Sequence, residues 1–357
     1  MIPIRNIYYM LSYAFQVLSE QGYKNIETEQ FENVAELCAA ILSKGISLQL
    51  KRGLGREYIE TTESLSSIRG RLEVSESIKT RSLLKRQLVC SYDDFSENSY
   101  MNRIIKTTME LLLHADIAKA RKKELRKLLV YFGNVELLNI HTINWKIQYN
   151  RNNQTYRMLI SICYLVIKGL LQTNTNGTTQ LMDFLDEQRM CRLYEKFILE
   201  YYRKEFPKLS ANASQIPWAL DDGFCDMLPV MQTDIMLSHG SKVLIIDAKY
   251  YSHTTQSQYD IHTLHSANLY QIFTYVKNKQ ANLAAASDEV SGMLLYAQTD
   301  EGVQLNNRYW MSKNKISVWT LNLDQNFSEI SAQLDAIIYK HFGTSVQKRT
   351  AHFLESM

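Results

Sequence analysis

No Cys-x-x-Cys pair occurs in the 357 residues, and the 5 cysteines (Cys38, Cys90, Cys163, Cys191 and Cys225) are odd in number and far apart. That spacing excludes a disulfide framework and a cysteine-based zinc site, and it predicts reduced core thiols in a cytoplasmic protein. No run approaches the roughly 18 apolar residues that cross a bilayer. The opening MIPIRNIYYMLSYAF is interrupted by Arg5 and Asn6 and has no small-residue cleavage site, which argues against a signal peptide. A soluble chain is expected. Neither sign of charge is in excess: 40 Lys and Arg stand against 37 Asp and Glu, a formal +3. Composition therefore names no nucleic-acid partner, and any such contact has to come from a local patch. The G-x-x-x-x-G-K-[ST] loop is missing, so the chain binds no nucleotide by that route. A G-x-S-x-G turn, internal repeats and low-complexity tracts are missing too.

What is present is enough apolar residue, 45%, to bury a core or two, and the length favours two domains. Apolar positions at helical spacing predict amphipathic helices over 7–19 (Ile7, Met10, Leu11, Ala14, Phe15, Leu18) and 31–43 (Val34, Leu37, Cys38, Ile41). From Gly45 to about Ser91 the pattern turns to period two, in Ser47-Leu48-Gln49-Leu50, Glu57-Tyr58-Ile59-Glu60 and Arg71-Leu72-Glu73-Val74, and predicts a small β-rich module. Helices return over 102–131 and 156–171. On the former, Lys119, Arg121, Lys122, Lys123, Arg126 and Lys127 make a basic side, which is either a solvated face or a phosphate-facing patch. LQTNTNGTTQ (171–180) marks a loop and a domain boundary, dividing the chain into 1–172 and 180–357. Beyond it the order is a helix (183–206), strands (231–237 and 243–248), a helix (266–278), strands (292–298 and 316–322) and a last helix (327–341). This alternation predicts an α/β sandwich after an α+β N-terminal domain.

The segment PVMQTDIMLSHGSKVLIIDAKYY carries the chemistry. Val243–Ile246 is a continuous apolar run of the kind buried on both faces, and it ends in Asp247-Ala248-Lys249. Alternate residues share a face, so Asp247 and Lys249 project together where the strand meets solvent. Gly240-Ser241 suits a two-residue type II′ hairpin, and that turn would set Asp234 directly opposite Asp247. Opposed carboxylates only about 5 Å apart at Cβ repel unless a cation lies between them. Mg²⁺ meets the need, since it takes one or two carboxylates and keeps other positions for water and phosphate. The competing reading is a surface hairpin with an ion pair of little energetic worth.

Asp234, then Asp247-Ala248-Lys249, resembles the PD-(D/E)XK nuclease signature. Glu195, on the preceding helix among Cys191, Ile198, Leu199 and Tyr202, lies where such nucleases often supply a further acid, although a solvated glutamate fits as well. Gln271 and Tyr275, at i and i+4 on the helix after the DAK strand, are similar to the Gln-x-x-x-Tyr pair of the RecB-like branch, which faces the active site; alone they would be ordinary helix surface. Along the chain IPIRNIYYMLSYAF, SIRGRLEVSESIK, YDDFSENSYMNRIIKTTM, the acidic hairpin and HSANLYQIFTYV resemble segments of the McrC family in the same order.

That resemblance implies a modification-dependent (5-methylcytosine) restriction system, in which a PD-(D/E)XK restriction-endonuclease-like domain (180–357) cuts double-stranded DNA carrying modified cytosine. Mg²⁺ would be held by Asp234, Asp247, the Ala248 carbonyl and Glu195, with Lys249 assisting the attacking water and Gln271 and Tyr275 lining the site. It also implies a McrB-type AAA+ GTPase partner, which binds the GTP and whose hydrolysis the 1–172 domain stimulates. The β-rich module (45–91) becomes the element for the partner's pore, with Arg52, Arg56, Arg69 and Arg71 either as contacts or as ordinary surface charge. For Asn102–Lys106 (NRIIK) the residues offer only a structural cap. His253, His262 and His265 match no zinc spacing. Two other classes stay open: a non-enzymatic activator of an NTPase ring, and a stand-alone RecB-like nuclease.

Overall fold

A computed structural model of the chain describes residues 2–15, 26, 29, 31–151, 153–173, 187–250, 256–258, 261–283, 289–298 and 305–349. Helix α1 (Ile4–Ala14) buries Ile7, Met10, Leu11 and Ala14, as its spacing predicts. It does so with distant residues. Asn6 donates to the carbonyls of Leu323 and Gln325 at 2.8 Å each, the Tyr9 ring stacks on Phe327 at 4.4 Å, and the Tyr13 hydroxyl donates to Glu205. Residues 1–28 and 185–357 thus form one compact unit and residues 29–184 another. The expected domain of residues 1–172 is corrected at its start, because amphipathic spacing says that a helix must pack but not against what. Most of the expected linker, 174–180, lies outside the described residues.

In the unit 29–184, α2 (Val34–Arg52) begins where the Asn33 side chain accepts the Glu36 N–H at 2.8 Å, and Ala35 to Leu42 are buried all round. The helix continues through Ser47–Leu50, which alternation marks as a strand. Four alternating residues decide nothing once an upstream helix propagates into good helix formers such as Leu, Gln and Lys. The β-rich module therefore starts later and ends later than 45–91. Strand β1 (Glu57–Leu65) pairs antiparallel along its length with β3 (Leu88–Ser96), and β2 (Arg71–Leu72) pairs with the other edge of β3. Residues from Val74 form a short helix, α3 (Val74–Lys79), rather than extending β2.

Three helices complete this unit: α4 (Tyr100–His114), α5 (Lys119–Leu129) and α6 (Tyr156–Thr173). On α5, Leu125 and Leu128 are buried while Lys119, Lys123, Arg126 and Lys127 face solvent. Ser99 rather than the NRIIK block caps α4, by accepting from Asn102 N–H, and Asn102–Lys106 lie inside the helix. Asn102 does more than that. Fully buried, it donates to the carbonyls of Gly55 and Glu97 at 2.8 Å each and accepts from the Tyr156 hydroxyl at 2.7 Å, which itself accepts the Gly55 N–H. Lys106 donates to the carbonyls of Phe132 and Val135. One amide thus ties both strand ends of the β module to two helices.

The other unit is built on a six-stranded sheet in the order β12-β13-β11-β8-β7-β4. After α7 (Glu187–Glu205) come β4 (Ser210–Asn212), the small pair β5 (Gln215–Ile216) and β6 (Met231–Gln232), then β7 (Ile235–His239) and β8 (Lys242–Lys249). The pair β9 (Gln256–Gln258) and β10 (Ile261–Thr263) precedes α8 (Ser266–Ala281), β11 (Glu289–Ala297), β12 (Asn306–Met311), β13 (Asn314–Leu321) and α9 (Phe327–Phe342). β8, β11 and β13 run parallel and the outer strands antiparallel, so the expected α/β architecture is present with two further edge strands, β4 and β12. Ile272, Tyr275 and Val276 of α8 form one core with Val243, Ile245 and Leu294. The helix sits close because residue 292 is glycine: a Cβ there would meet Ile272 at 2.8 Å and Val276 at 2.9 Å.

Asn102→Ala should destabilise the unit 29–184 by about 2–4 kcal/mol, since two buried carbonyls and a hydroxyl lose their partner at once. Urea unfolding followed by far-UV circular dichroism checks this, with Tyr156→Phe giving a smaller loss.

Candidate functional site

The hairpin that brings the acids together is fixed by its turn. Gly240 has φ +57 and Ser241 does not share the positive φ, the pattern of a type II′ turn. Pairing runs from His239↔Lys242 to Ile235↔Ile246, and one more step in that register sets Asp234 opposite Asp247. Residues 243–248 are all buried, so β8 is anchored on both faces until it reaches Lys249. Val243 and Ile245 pack against α8, and by alternation Asp247 and Lys249 lie on that same face.

Asp247 is 1% exposed. Its Oδ1 accepts from Lys249 Nζ at 2.9 Å, while Oδ2 is buried and has no hydrogen-bond partner. Asp234 is half-buried, and its Oδ2 accepts the Ala248 N–H at 3.0 Å. Burial raises both carboxyls above the usual carboxylate range, the Lys249 ammonium opposes that rise in both, and the Asp234 charge adds to it in Asp247. Glu195 of α7 joins this field. Burial raises its carboxyl first and the charge of Asp234 second, with Cys191, Lys249 and Arg192 pulling the other way.

The partner that Glu195 requires among its apolar neighbours is Cys191, one helical turn earlier, whose Sγ donates to Oε1 at 3.1 Å and lies 3.9 Å from the Ala248 carbonyl. Burial pushes that thiol up to about 12. Cys191 was legible only as one of the core thiols, although its i, i+4 relation to Glu195 is a usable signal. The core assignment holds for Cys38, Cys90 and Cys163, but Cys191 is half-buried and Cys225 exposed, because each lies on or near a surface loop or helix flank that composition does not report.

Gln271 and Tyr275 do share one face of α8: Gln271 Nε2 donates to the Tyr275 hydroxyl at 3.0 Å, which donates in turn to the Gln232 carbonyl at 3.1 Å. That carbonyl lies two residues before Asp234, so the pair pins the approach to the acidic strand. Of the three histidines, His253 falls outside the described residues, His262 lies in β10, and His265 precedes α8. Three of the four module arginines have acidic partners in the same unit: Arg56 with Glu97 at 2.7 Å, Arg69 with Asp94 at 3.2 Å and Arg71 with Glu73 at 3.0 Å.

Among the described residues no three His, Cys, Asp or Glu side chains form a cage for an ion by themselves. Glu195 therefore stands behind the pair, and an ion here would draw on two carboxylates plus backbone and water. That set suits Mg²⁺, which seldom uses an all-protein cage. The buried, unpartnered Oδ2 of Asp247 is an acceptor of the required kind.

Residues 4–297 match the family described as McrBC 5-methylcytosine restriction system component. Over 340 residues the chain is 30% identical to the type IV methyl-directed restriction enzyme EcoKMcrBC of Escherichia coli K12, spanning 93% of this chain and 96% of that protein. A half-complex from the tetradecameric assembly of Thermococcus gammatolerans McrB AAA+ hexamers with bound McrC is similar in structure with a TM-score of 0.46 and 17% identity, covering 94% of this chain and 76% of that one. The cryo-EM structure of the Thermococcus gammatolerans McrBC complex gives a TM-score of 0.38 at 18% identity, covering 57% and 58%.

The raised carboxyl of Asp247 has a consequence for stability. Its folded-state value lies above the unfolded one, so the native chain binds more protons between the two, and stability falls as pH climbs through that window. In EDTA, the melting temperature of the wild-type chain should therefore decline from about pH 4 towards neutrality more steeply than that of Asp247→Asn. Equal slopes in scanning fluorimetry would contradict the assignment.

Proposed function

Because this chain belongs to the family of McrBC 5-methylcytosine restriction system components, we propose that it is a McrC-type nuclease subunit, with a PD-(D/E)XK centre in the unit that contains residues 185–357. In this reading it is a Mg²⁺-dependent DNA endonuclease that acts with a McrB-type AAA+ GTPase, stimulates that partner's GTP hydrolysis and cleaves double-stranded DNA carrying modified cytosine. The observation that carries the reading is the hairpin register, which opposes Asp234 and Asp247 beside Lys249 at the end of a buried strand.

Asp234, Asp247 and the Ala248 carbonyl would hold the ion, with Glu195 reaching it through water. Mg²⁺ bound there supplies Lewis acidity towards a phosphate oxygen and lowers the pKa of water. The rest falls to the chain itself. Asp247 holds the Lys249 ammonium at 2.9 Å, so this cation is already oriented to position an attacking water and to balance charge that develops on the phosphate. The Ala248 N–H fixes one oxygen of Asp234 and so holds this carboxylate against the end of β8. Gln271 and Tyr275 keep the Gln232 backbone in place, and through it the position of Asp234.

The β module of the unit 29–184 is proposed as the element that engages the pore of the GTPase. Tyr58 of β1 is 74% exposed, Ile68 in the connection from β1 to β2 66%, and Leu84 in the turn before β3 82%. Arg56, Arg69 and Arg71 are held in exposed ion pairs that cost little to release, and Arg52 closes α2 beside the ribbon. The basic side of α5 is a solvent face available to phosphate.

Purified chain, a cognate GTPase, methylated DNA, GTP and Mg²⁺ test the proposal. Asp247→Ala should reduce strand breaks to background and leave stimulated GTP turnover intact, whereas Gln271→Ala should slow cleavage by roughly tenfold to a hundredfold through misplacement of Asp234. GTP turnover without strand breaks in the wild type would favour the non-enzymatic activator; cleavage without any nucleotide would favour a stand-alone RecB-like nuclease.

A further inference from the structure

The sheet face opposite α8 carries a feature that the carboxylate site does not use. Beneath the last turn of α9, Arg308 of β12, Lys315 of β13 and Lys340 of α9 surround a small cavity whose floor includes Ser291 of β11 and whose wall includes His341. Lys242, at the start of β8, borders the same place, with Nζ 3.3 Å from the His341 carbonyl. Four cations are gathered here. Burial and then the charge of Arg308 lower the Lys315 ammonium; Glu289 opposes them, and Lys340 and Lys242 add to the lowering.

Two of the cations have a structural occupation. Lys340 lies over the Trp319 ring at 4.3 Å in the last turn of α9, where the helix dipole favours positive charge, and Lys242 neutralises a terminal carbonyl of the same helix. Arg308 and Lys315 have no such role: among the described residues neither side chain makes a hydrogen bond or ion pair. Two buried polar atoms beside them also lack partners, Ser291 Oγ, on a residue 1% exposed, and His341 Nε2. Like charges held together next to unsatisfied polar atoms are unfavourable unless an anion completes them. A hydroxyl, a fork of guanidinium donors and two ammonium groups are the chemistry that recognises phosphate.

We propose that the mouth of this pocket is an oxoanion site that takes a phosphate group, bound by Arg308, Lys315 and Lys340, with the Ser291 hydroxyl reaching it through a water in the small cavity below. It is separate from the carboxylate pair, since β8 carries Lys242 at one end and Lys249 at the other, about 23 Å apart at strand spacing. The phosphate is either free or part of a nucleic-acid backbone. His341 reports on both, because burial, Lys315 and Lys242 now hold its imidazole at about 4 and a bound anion reverses that field.

The test uses the full chain labelled at histidine, with the His341 ring signal identified from its loss in His341→Gln. Inorganic phosphate, titrated at constant ionic strength against chloride, should move that signal saturably and chloride should not; Arg308→Ala/Lys315→Ala should abolish the response. Arg308→Glu alone, at an exposed position, keeps the test valid if the double variant does not fold. A wild-type response no larger with phosphate than with chloride, or one that survives these substitutions, overturns the proposal. A second arm measures binding of a short duplex against salt concentration in EDTA, so it does not depend on the nuclease reading. Loss of two phosphate contacts should flatten the slope of log K against log salt by about 1.8 in the double variant, which assigns the site to backbone phosphate. An unchanged slope with the phosphate response intact assigns it to a free phosphate.

Discussion

Two carboxylates held face to face across one antiparallel hairpin set the demands that the surrounding structure meets. Left to themselves they would repel, and burial sharpens the cost because Asp247 is removed almost wholly from water. The fold answers with geometry. A buried apolar strand fixes β8 in place, the Gly240 turn fixes its register against β7, and the Lys249 ammonium and the Ala248 N–H each take one carboxylate oxygen. Of the two oxygens that remain, Asp247 Oδ2 is buried without a hydrogen-bond donor. The protein thus concentrates unfavourable electrostatics at one spot and stabilises it by packing elsewhere, the usual division between a reactive centre and its scaffold.

How much of this was legible depended on how local the cause was. The hairpin was readable because everything that determines it lies within Asp234–Lys249: an uninterrupted VLII run, a Gly-Ser turn and a side-chain period of two. The β-rich module was readable in kind but not in extent, since Ser47–Leu50 alternates like a strand while its preceding helix simply continues. Strand β12 carries Asn306, Asn307 and Arg308 on a sheet edge, with no apolar alternation to reveal it. The Cys191 thiol beside Glu195 and the Tyr275 hydroxyl on the Gln232 carbonyl depend on how α7 and α8 lie on the sheet, which no spacing within either helix encodes.

The two units solve their polar problems differently. In the unit 29–184 a single amide, Asn102, satisfies carbonyls at both ends of the exposed ribbon, so the ribbon's base is specified. The unit with the sheet instead relies on close approach. Gly292 lets α8 settle onto β11, and the same helix carries Gln271 and Tyr275 towards the strand that leads to Asp234. Any side chain at position 292 would lift that helix, and a change far from the acids would be felt by them.

The first helix has a consequence in time. The elements that α1 packs on are α7 and the start of α9, which are made only after the whole intervening unit. At ordinary rates of synthesis that interval is roughly ten seconds or more. During synthesis the apolar face of α1 therefore stays uncovered while the residues of the other unit are made, and the unit that holds the acidic hairpin closes only once both of its segments have emerged.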